Sequence, residues 1–129
     1  MKIKVTYLNT NKPNKNNRFY SRDLLNEALI KFCEQDFWVV DRPDYKIDFT
    51  RIVGKVLKSE WAEHNLIFYI ELYEDRITTI EGVHFCLFGT GDIALEDISN
   101  DFTTVKSFDI IGMFTADNCA WEDKIELLD

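Results

Sequence analysis

The sequence predicts an α+β protein with a mostly antiparallel, barrel-like sheet, one long flanking helix and shorter helical pieces. Several stretches alternate apolar and polar residues, as half-buried strands do, while one repeats apolar residues at a spacing of three and four, as an amphipathic helix does. The chain has 129 residues, a length that suits one domain, here residues 1–129, and that buries about two thirds of its unfolded surface.

The first strand is predicted at the N-terminus, in the stretch "MKIKVTYL". Ile3, Val5 and Tyr7 alternate there with polar residues, which gives the period of two that a half-buried strand requires. Residues 9–17, "NTNKPNKNN", are rich in Asn and Lys. Asn tolerates turn conformations and this composition forms no core, so the segment is predicted to be a loop.

The helix is predicted over about residues 21–35. Ser21 is suited to the N-cap, and Asp23 lies in the first turn, where a carboxylate complements the helix dipole. We expect the helix to pack on the sheet through its apolar face. The residues of that face are Leu24, Leu25, Ala28, Leu29, Phe32 and Cys33.

The remaining β signals begin with "FWVV", a short apolar run typical of a buried strand, followed by the loop "DRPDYKID". A hairpin is predicted next, from "RIVGKVLKSEW" and "NLIFYIELYE", and we expect its antiparallel strands at the centre of the sheet. "GVHFCLF" and "TVKSFDIIGMFTAD" predict two more strands, whereas the tail "AWEDKIELLD" fits either helix or strand.

Charge and hydropathy exclude two classes of partner. The formal net charge is −8, and binding to a phosphate backbone requires clustered Lys and Arg, so no nucleic-acid partner is expected. No apolar run approaches the roughly 20 residues of a membrane span, and the N-terminus lacks the apolar segment of a signal peptide. We therefore expect an intracellular protein with no membrane partner.

The three cysteines, Cys33, Cys86 and Cys119, lack the C-x-x-C spacing of zinc or redox sites. An odd number of cysteines in a reducing compartment favours buried thiols, so no cysteine framework is predicted. A zinc site from His84, Cys86 and one of His64 or Cys119 has no spacing that favours it. No cofactor and no metal ligand is expected.

Several segments resemble the tailed-phage prohead proteases in the same order along the chain. Residues Asn14, Asn16, Arg18 and Tyr20 match the family's N-x-N-x-R-x-Y-P motif at its intervals, with Ser21 in place of Pro. "VVDRPDYKIDF" resembles the segment with the family's histidine, and "GVHFCLFGTGDI" resembles the strand and loop with its serine. With "VKSFDIIGMFTAD" as the closing strand, the resemblance covers about residues 6 to 117.

The resemblance implies an assemblin-like fold and serine–histidine catalysis, but both catalytic positions are changed. The histidine position is Arg42, which cannot accept a proton from serine. The serine position is Phe88, followed by Gly89 and Thr90, and a phenyl ring offers no nucleophile. His84 and Cys86, two apart on one strand, are about 7 Å apart, too far for a direct hydrogen bond. We predict a pseudoenzyme with no catalytic residues.

The predicted function is that of a catalytically inactive, prohead-protease-like phage protein that acts by binding, as a structural, assembly or regulatory component of the capsid. The expected partners are phage capsid, scaffold or protease subunits, and the expected location is the host cytoplasm or the phage capsid and virion. Solvated acidic groups usually keep a protein soluble. If one binds a partner, we expect it to be the group after the glycine loop, formed by Asp92, Glu96, Asp97 and Asp101.

Two alternatives stay open. A small acidic protein of this kind is suited to inhibit a basic partner through its charged face. An active hydrolase with relocated catalytic residues is the third class.

Overall fold

The computed structural model describes residues 1–32, 37–41, 49–93 and 101–128. These residues form nine strands, one α-helix and a short 3₁₀ turn at Phe49–Arg51. The strands are β1 (Lys2–Tyr7), β2 (Arg18–Phe19), β3 (Trp38–Val40), β4 (Ile52–Ala62), β5 (Asn65–Leu72), β6 (His84–Asp92), β7 (Thr103–Thr104), β8 (Ser107–Ala116) and β9 (Asp123–Leu128), and the helix is α1 (Arg22–Phe32).

Seven of the strands form one curled sheet in the order β6-β8-β3-β4-β5-β1-β9. Its neighbours are antiparallel except for β3 and β8, which run parallel. The two short strands β2 and β7 form a separate parallel pair. The prediction of a mostly β, barrel-like architecture is therefore confirmed, and the undecided tail supplies the edge strand β9.

The predicted hairpin is confirmed at the centre of the sheet. β4 and β5 pair antiparallel and are joined by a tight turn at residues 63–64, where Glu63 has a φ of 56°. The side chains of Leu66, Phe68, Ile70 and Leu72 are all almost completely buried. Their alternation places one face of β5 on the core, as the period of two predicted.

The helix α1 begins where the sequence predicts and is shorter than predicted. The hydroxyl of Ser21 accepts a hydrogen bond from the Leu24 amide at 3.1 Å, which caps the first turn. The described helix has 11 residues and ends at Phe32; the predicted residues 33–35 lie outside the described part of the chain. The expectation of a long helix was wrong, because the apolar pattern identified the buried face but not where it ends. No helix in the described ranges is long and apolar enough to cross a membrane.

The main core lies between α1 and the concave side of the sheet. The helix contributes Leu25, Leu29 and Phe32, as predicted, and Phe32 packs edgewise on Phe37 with ring centroids 4.7 Å apart. Phe37 in turn contacts Phe68 on the central strand β5, at 5.9 Å. Apolar burial in this layer is the main stabilising contribution to the fold.

The sheet closes on itself through side chains. β6 and β9 are its two edge strands and share no backbone ladder in the described residues. The hydroxyl of Tyr7, on β1, donates a hydrogen bond to the carbonyl of Phe85 at 2.5 Å and accepts one from the Leu87 amide at 2.9 Å. It thus makes the two bonds on β6 that a neighbouring strand would make.

Two further links join β6 to β9 and to the segment that leads into it. Nδ1 of His84, at the start of β6, lies 2.9 Å from the carboxylate of Asp123, at the start of β9. A disulfide joins Cys86 on β6 to Cys119 in the segment that leads into β9. We call these three links, from Tyr7, His84–Asp123 and Cys86–Cys119, the seam.

Candidate functional site

A cavity of about 310 Å³ lies beside the seam, where the segments of the family-like motif and of the family's nucleophile position meet. Its described lining comes from the loop before α1, from β6 and β8, and from the segment before β9. The lining residues are Asn14, Asn16, Arg18, Tyr20, Cys86, Leu87, Phe88, Gly89, Phe108, Phe114, Asn118, Cys119, Ala120 and Trp121. The structure therefore brings the stretch around Arg18 and the stretch around Phe88, both of which carried the sequence resemblance, to one cavity.

The motif residue Asn14 shapes the loop. Its side chain is buried, and its Oδ1 accepts hydrogen bonds from the amides of Asn16 at 2.9 Å and of Arg18 at 3.1 Å. The residue between them, Asn17, has a φ of 57°, a left-handed conformation that Asn tolerates better than most residues. The spacing of asparagines in this motif is thus a device that turns the chain and directs Arg18 and Tyr20 to the cavity.

Tyr20 has a structural role, because its ring packs against two other aromatic rings. Its ring contacts Phe108 and Trp121 edgewise, each with centroids 5.1 Å apart. The cation–π contact near this helix is made by Arg22, whose guanidinium lies 4.7 Å from the Trp61 ring. Arg18 is exposed and lines the cavity.

Phe88, which the sequence resemblance aligns with the family's nucleophile, is a buried residue. Its side chain is only 7% exposed, and its ring packs against that of Phe114 on β8 with centroids 5.0 Å apart. The two faces of β6 are both covered here: Phe85 and Leu87 belong to the main core, whereas Cys86 and Phe88 alternate with them. Phe88 is thus a packed residue at the edge of the cavity.

We call the positions that the sequence resemblance aligns with the family's active site the vestigial positions; they are Arg42, Phe88, Gly89 and Thr90. The surroundings of Gly89 and Thr90 differ from those of Phe88. The register between β6 and β8 shifts between Phe88 and Gly89. A Cβ on Gly89 would overlap the carbonyl oxygen of Asp109, so a one-residue slip of the alignment does not provide room for a serine. Thr90 is exposed on the outer half of β6.

The chain has two histidines. His84 lies six positions from Thr90 on the same strand, roughly 20 Å at about 3.3 Å per residue, which is too far to activate its hydroxyl. His64 lies in the β4–β5 turn, where its carbonyl accepts hydrogen bonds from Thr10. The fourth vestigial position, Arg42, lies outside the described residues.

The disulfide corrects the prediction of buried thiols without a cysteine framework. Cys86 and Cys119 are 33 positions apart, yet their Cα atoms are 5.4 Å apart, within the usual disulfide range. Curling of the sheet brings them together, which the spacing of cysteines in a sequence does not reveal. Cys33 lies outside the described residues.

The pair His84–Asp123 has the geometry of a base held by an orienting carboxylate. The Asp123 side chain is 5% exposed, so its contact with Nδ1 is shielded from water. The nearest sulfur along the strand, that of Cys86, is bonded to Cys119. In the described ranges no group of His, Cys, Asp and Glu is arranged to hold a metal ion.

The charge of the cavity wall differs from that of the whole chain. Against 23 acidic and 15 basic residues in the sequence, the described lining contains Arg18, three asparagines and no carboxylate. The predicted acidic group lies elsewhere. Asp92 is exposed at the end of β6 opposite Ser107, and Asp101 is exposed before β7; Glu96 and Asp97 lie outside the described residues.

Sequence reasoning missed the residues that close the cavity from the C-terminal side. Asn118, Cys119 and Trp121 belong to a stretch with no strand or helix period, and Asp123 begins the tail that was left undecided. The Trp in "AWED" was the one local signal, since a large aromatic residue in a polar segment is usually buried. Its partners, Tyr7 and Tyr20, are more than 100 positions away.

The comparison with solved structures finds a similar fold in the bacteriophage T4 capsid assembly protease, gp21. The TM-score is 0.68 at 14% sequence identity, and the alignment covers 88% of this chain and 79% of that chain. No protein-family model matches the sequence, and no curated protein matches it either. The prohead-protease-like fold is confirmed; at this identity the likeness is one of fold alone.

Proposed function

We propose that this protein is a catalytically inactive, prohead-protease-like phage protein that acts by binding during capsid assembly. The observation that carries the proposal is that Phe88, which the sequence resemblance aligns with the family's nucleophile, is buried against Phe114 within a fold similar to that of a capsid assembly protease. A fold supports many functions, so the proposal of inactivity rests on the residues at the site and not on the fold.

The surroundings of the vestigial positions support inactivity. Serine catalysis requires a hydroxyl within hydrogen-bond reach of a base, and the base is commonly oriented by a third group. The one hydroxyl among the vestigial positions, that of Thr90, is roughly 20 Å along β6 from His84. Arg42, at the position of the family's histidine, is a permanent cation and cannot accept a proton.

The test of inactivity is covalent labelling. The purified protein is treated with a fluorophosphonate, alongside an active serine protease, and separately incubated with tailed-phage capsid and scaffold proteins. We expect neither labelling nor cleavage. Stoichiometric labelling that maps to Thr90 or Cys86, or cleavage of either substrate, contradicts the proposal and favours a hydrolase with relocated residues.

A gain-of-function variant tests the alignment itself. Arg42→His combined with Phe88→Ser restores both residue types at the vestigial positions, and recovered labelling of residue 88 supports descent from an active protease. Phe88→Ser alone is the matched control, because it opens the same space without a base.

Binding is proposed to use the acidic group around Asp92 and Asp101. These carboxylates are exposed, whereas Phe88 is too buried to be the contact that a partner recognises. Exposed charges are screened over about 8 Å at physiological ionic strength. Association through them therefore weakens as salt increases, mainly through a lower association rate.

The binding test uses proheads assembled from tailed-phage capsid proteins. Asp92→Asn with Asp101→Asn is expected to reduce co-sedimentation and its salt dependence. The control, Glu27→Gln with Asp75→Asn, removes the same charge from exposed positions on α1 and after β5 and is expected to bind normally. Binding that is insensitive to salt but lost in folded Phe88→Ala makes the vestigial site the contact, and absence of binding to any head protein contradicts the assembly role.

A further inference from the structure

The cavity has two walls that are built from different parts of the chain. One wall, which we call the loop wall, consists of residues 14–20 and 118–121. The other, the strand wall, consists of residues 86–89 of β6 together with Phe108 and Phe114 of β8. The distance between the two walls determines the size of a molecule that can enter the cavity.

The two segments of the loop wall are bonded to each other. The amide of Lys15 donates to the carbonyl of Ala120 at 2.8 Å, and Lys15 Nζ donates to Oδ1 of Asn118 at 3.1 Å. Trp121 is stacked on Tyr7 with centroids 5.5 Å apart. The segment 118–121 is thus bonded to the loop and stacked on β1, and its covalent link to β6 is the disulfide.

The loop wall is attached to the rest of the protein unequally at its two ends. At the end near β2, the carbonyls of Asn17 and Phe19 accept backbone hydrogen bonds from Thr103 and Val105 at 2.8 and 2.9 Å. At the other end, the segment 118–121 continues along the backbone from β8, and the disulfide Cys86–Cys119 is its covalent link to β6. The disulfide is the attachment that depends on redox conditions.

We propose that Cys86–Cys119 is a redox latch on the cavity. In the disulfide state it holds the segment 118–121 against β6 and keeps the cavity narrow. A dithiol reductant cleaves the S–S bond by thiol–disulfide exchange: the reductant supplies two electrons and two protons, becomes a disulfide, and leaves Cys86 and Cys119 as thiols. Glutathione disulfide reverses the reaction, with two molecules of reduced glutathione as the product.

The contact that remains at Cys86 after reduction is weak. The carbonyl oxygen of Asn118 lies 3.4 Å from the Cys86 sulfur, and a thiol is a weak donor, so this contact does not replace the covalent link. The other seam links, from Tyr7 and from His84 to Asp123, contain no redox-active group. Reduction is therefore expected to release one end of the loop wall while the sheet stays closed.

The experiment is hydrogen exchange on the purified, partner-free protein, oxidised with glutathione disulfide or reduced with dithiothreitol, with mass-spectrometric alkylation to confirm each state. We expect reduction to accelerate amide exchange in residues 15–20 and 118–121 by at least about tenfold, with the β4–β5 hairpin unchanged. Cys86→Ser with Cys119→Ser should show the fast exchange with or without reductant. Cys33→Ser is the matched control and should respond as the wild type does.

Three outcomes overturn the latch. The first is unchanged exchange in residues 118–121 when alkylation shows both thiols free. The second is acceleration throughout the sheet, which makes the disulfide a general staple. The third is failure of glutathione disulfide to link the pair. Because the wild type is compared with itself, the test holds even if the double variant does not fold. No partner is present, so the latch and the proposed function fail independently.

Discussion

The centre of the sheet and its seam hold the protein together in different ways. At the centre, β4, β5 and β1 are joined by backbone ladders, with one bulge between Val56 and Lys58, over a completely buried row that includes Phe68 and Ile70. At the seam, β6 meets β1 and the start of β9 through one hydroxyl, one histidine–aspartate contact and one disulfide. Backbone ladders and apolar burial are insensitive to conditions near neutral pH, whereas each seam link depends on a side chain whose chemistry can change.

This difference between the centre and the seam predicts where the fold tolerates the loss of a side chain. Removing a central side chain leaves a void that surrounding ladders prevent from collapsing. Removing a seam link leaves the ladders on both sides intact. The largest free-energy cost is therefore expected at the centre, and the costs at or beside the seam are expected to be smaller.

The largest loss is expected for Phe68→Ala. Phe68 is completely buried and contacts the rings of Tyr7 and Phe37. Truncation of such a residue lowers the free energy of unfolding by about 3 to 5 kcal/mol, and we expect the upper end of that range here. Urea denaturation measures the loss. Ile30→Ala, on an exposed helix position (70% exposed), is the control and should cost less than about 0.5 kcal/mol.

Loss of the disulfide is expected to be the next largest effect. With 33 positions between Cys86 and Cys119, loop-closure entropy corresponds to about 3 to 4 kcal/mol. Cys86→Ala with Cys119→Ala, unfolded in urea beside oxidised wild type, measures it, and Cys33→Ala controls for removal of a cysteine. A cost near zero means that the segment before β9 is held by its other contacts, and the seam is then stronger than its covalent link suggests.

Phe88→Ala is expected to cost about 3 kcal/mol, the lower end of the range for a buried phenylalanine. The ring is packed against Phe114 but already borders a cavity, so its removal enlarges an existing space and does not create an isolated void. Urea denaturation together with a crystal structure of the variant checks this. A loss below about 1 kcal/mol shows that the ring is not needed for packing and favours a role in partner contact.

Tyr7→Phe is expected to have the smallest effect, about 2 kcal/mol. The ring and its contacts with Phe68 and Trp121 remain, while the bonds to Phe85 and Leu87 are lost and two buried backbone groups are left unpaired. Tyr69→Phe is the control, since its hydroxyl bonds Glu60 at an exposed site and its loss should change stability little. A cost for Tyr7→Phe equal to that for Phe68→Ala removes the distinction between seam and centre.

The same variant has a pH signature. Burial, together with the nearby Asp123 carboxylate, raises the pKa of Tyr7 well above its usual range. An acid with a raised folded-state pKa stabilises the protein fully below its unfolded pKa, about 10, and loses that contribution as the pH rises above this value. Tyr7→Phe should therefore lose less stability than wild type between neutral pH and pH values above 10. A hydrogen bond to Glu60 also raises the pKa of Tyr69, so Tyr69→Phe is measured in parallel.

The fold was predictable wherever local patterns determine it. The alternation in β1 and β5 and the cap at Ser21 each depend on neighbours within a few positions, and each was placed correctly. The expectation of a long helix was not met, because an amphipathic pattern marks the buried face of a helix and not its length. The pairing of β6 with β8 and the edge position of β9 depend on contacts across the whole chain.

The candidate site was predictable only in part. The asparagine motif and the stretch around Phe88 were identified from their resemblance to one family, and the structure brings both to one cavity. The disulfide and the wall around Trp121 were not predicted. Their partners lie 33 or more positions away, and no spacing rule connects residues that meet only when a sheet curls.

The links of the seam can form only late in the synthesis of the chain. Its links join residues far apart in the sequence: 78 and 80 positions separate Tyr7 from its two partners, and 39 separate His84 from Asp123. A ribosome delivers about 5 to 20 residues per second from the N-terminus, so the β4–β5 hairpin is complete while the far side of the seam has not been made. The nascent protein must therefore pass through an open half-barrel with two unpaired edges. On a polysome, where neighbouring chains are at the same stage, that interval is when one copy is most exposed to pairing with another.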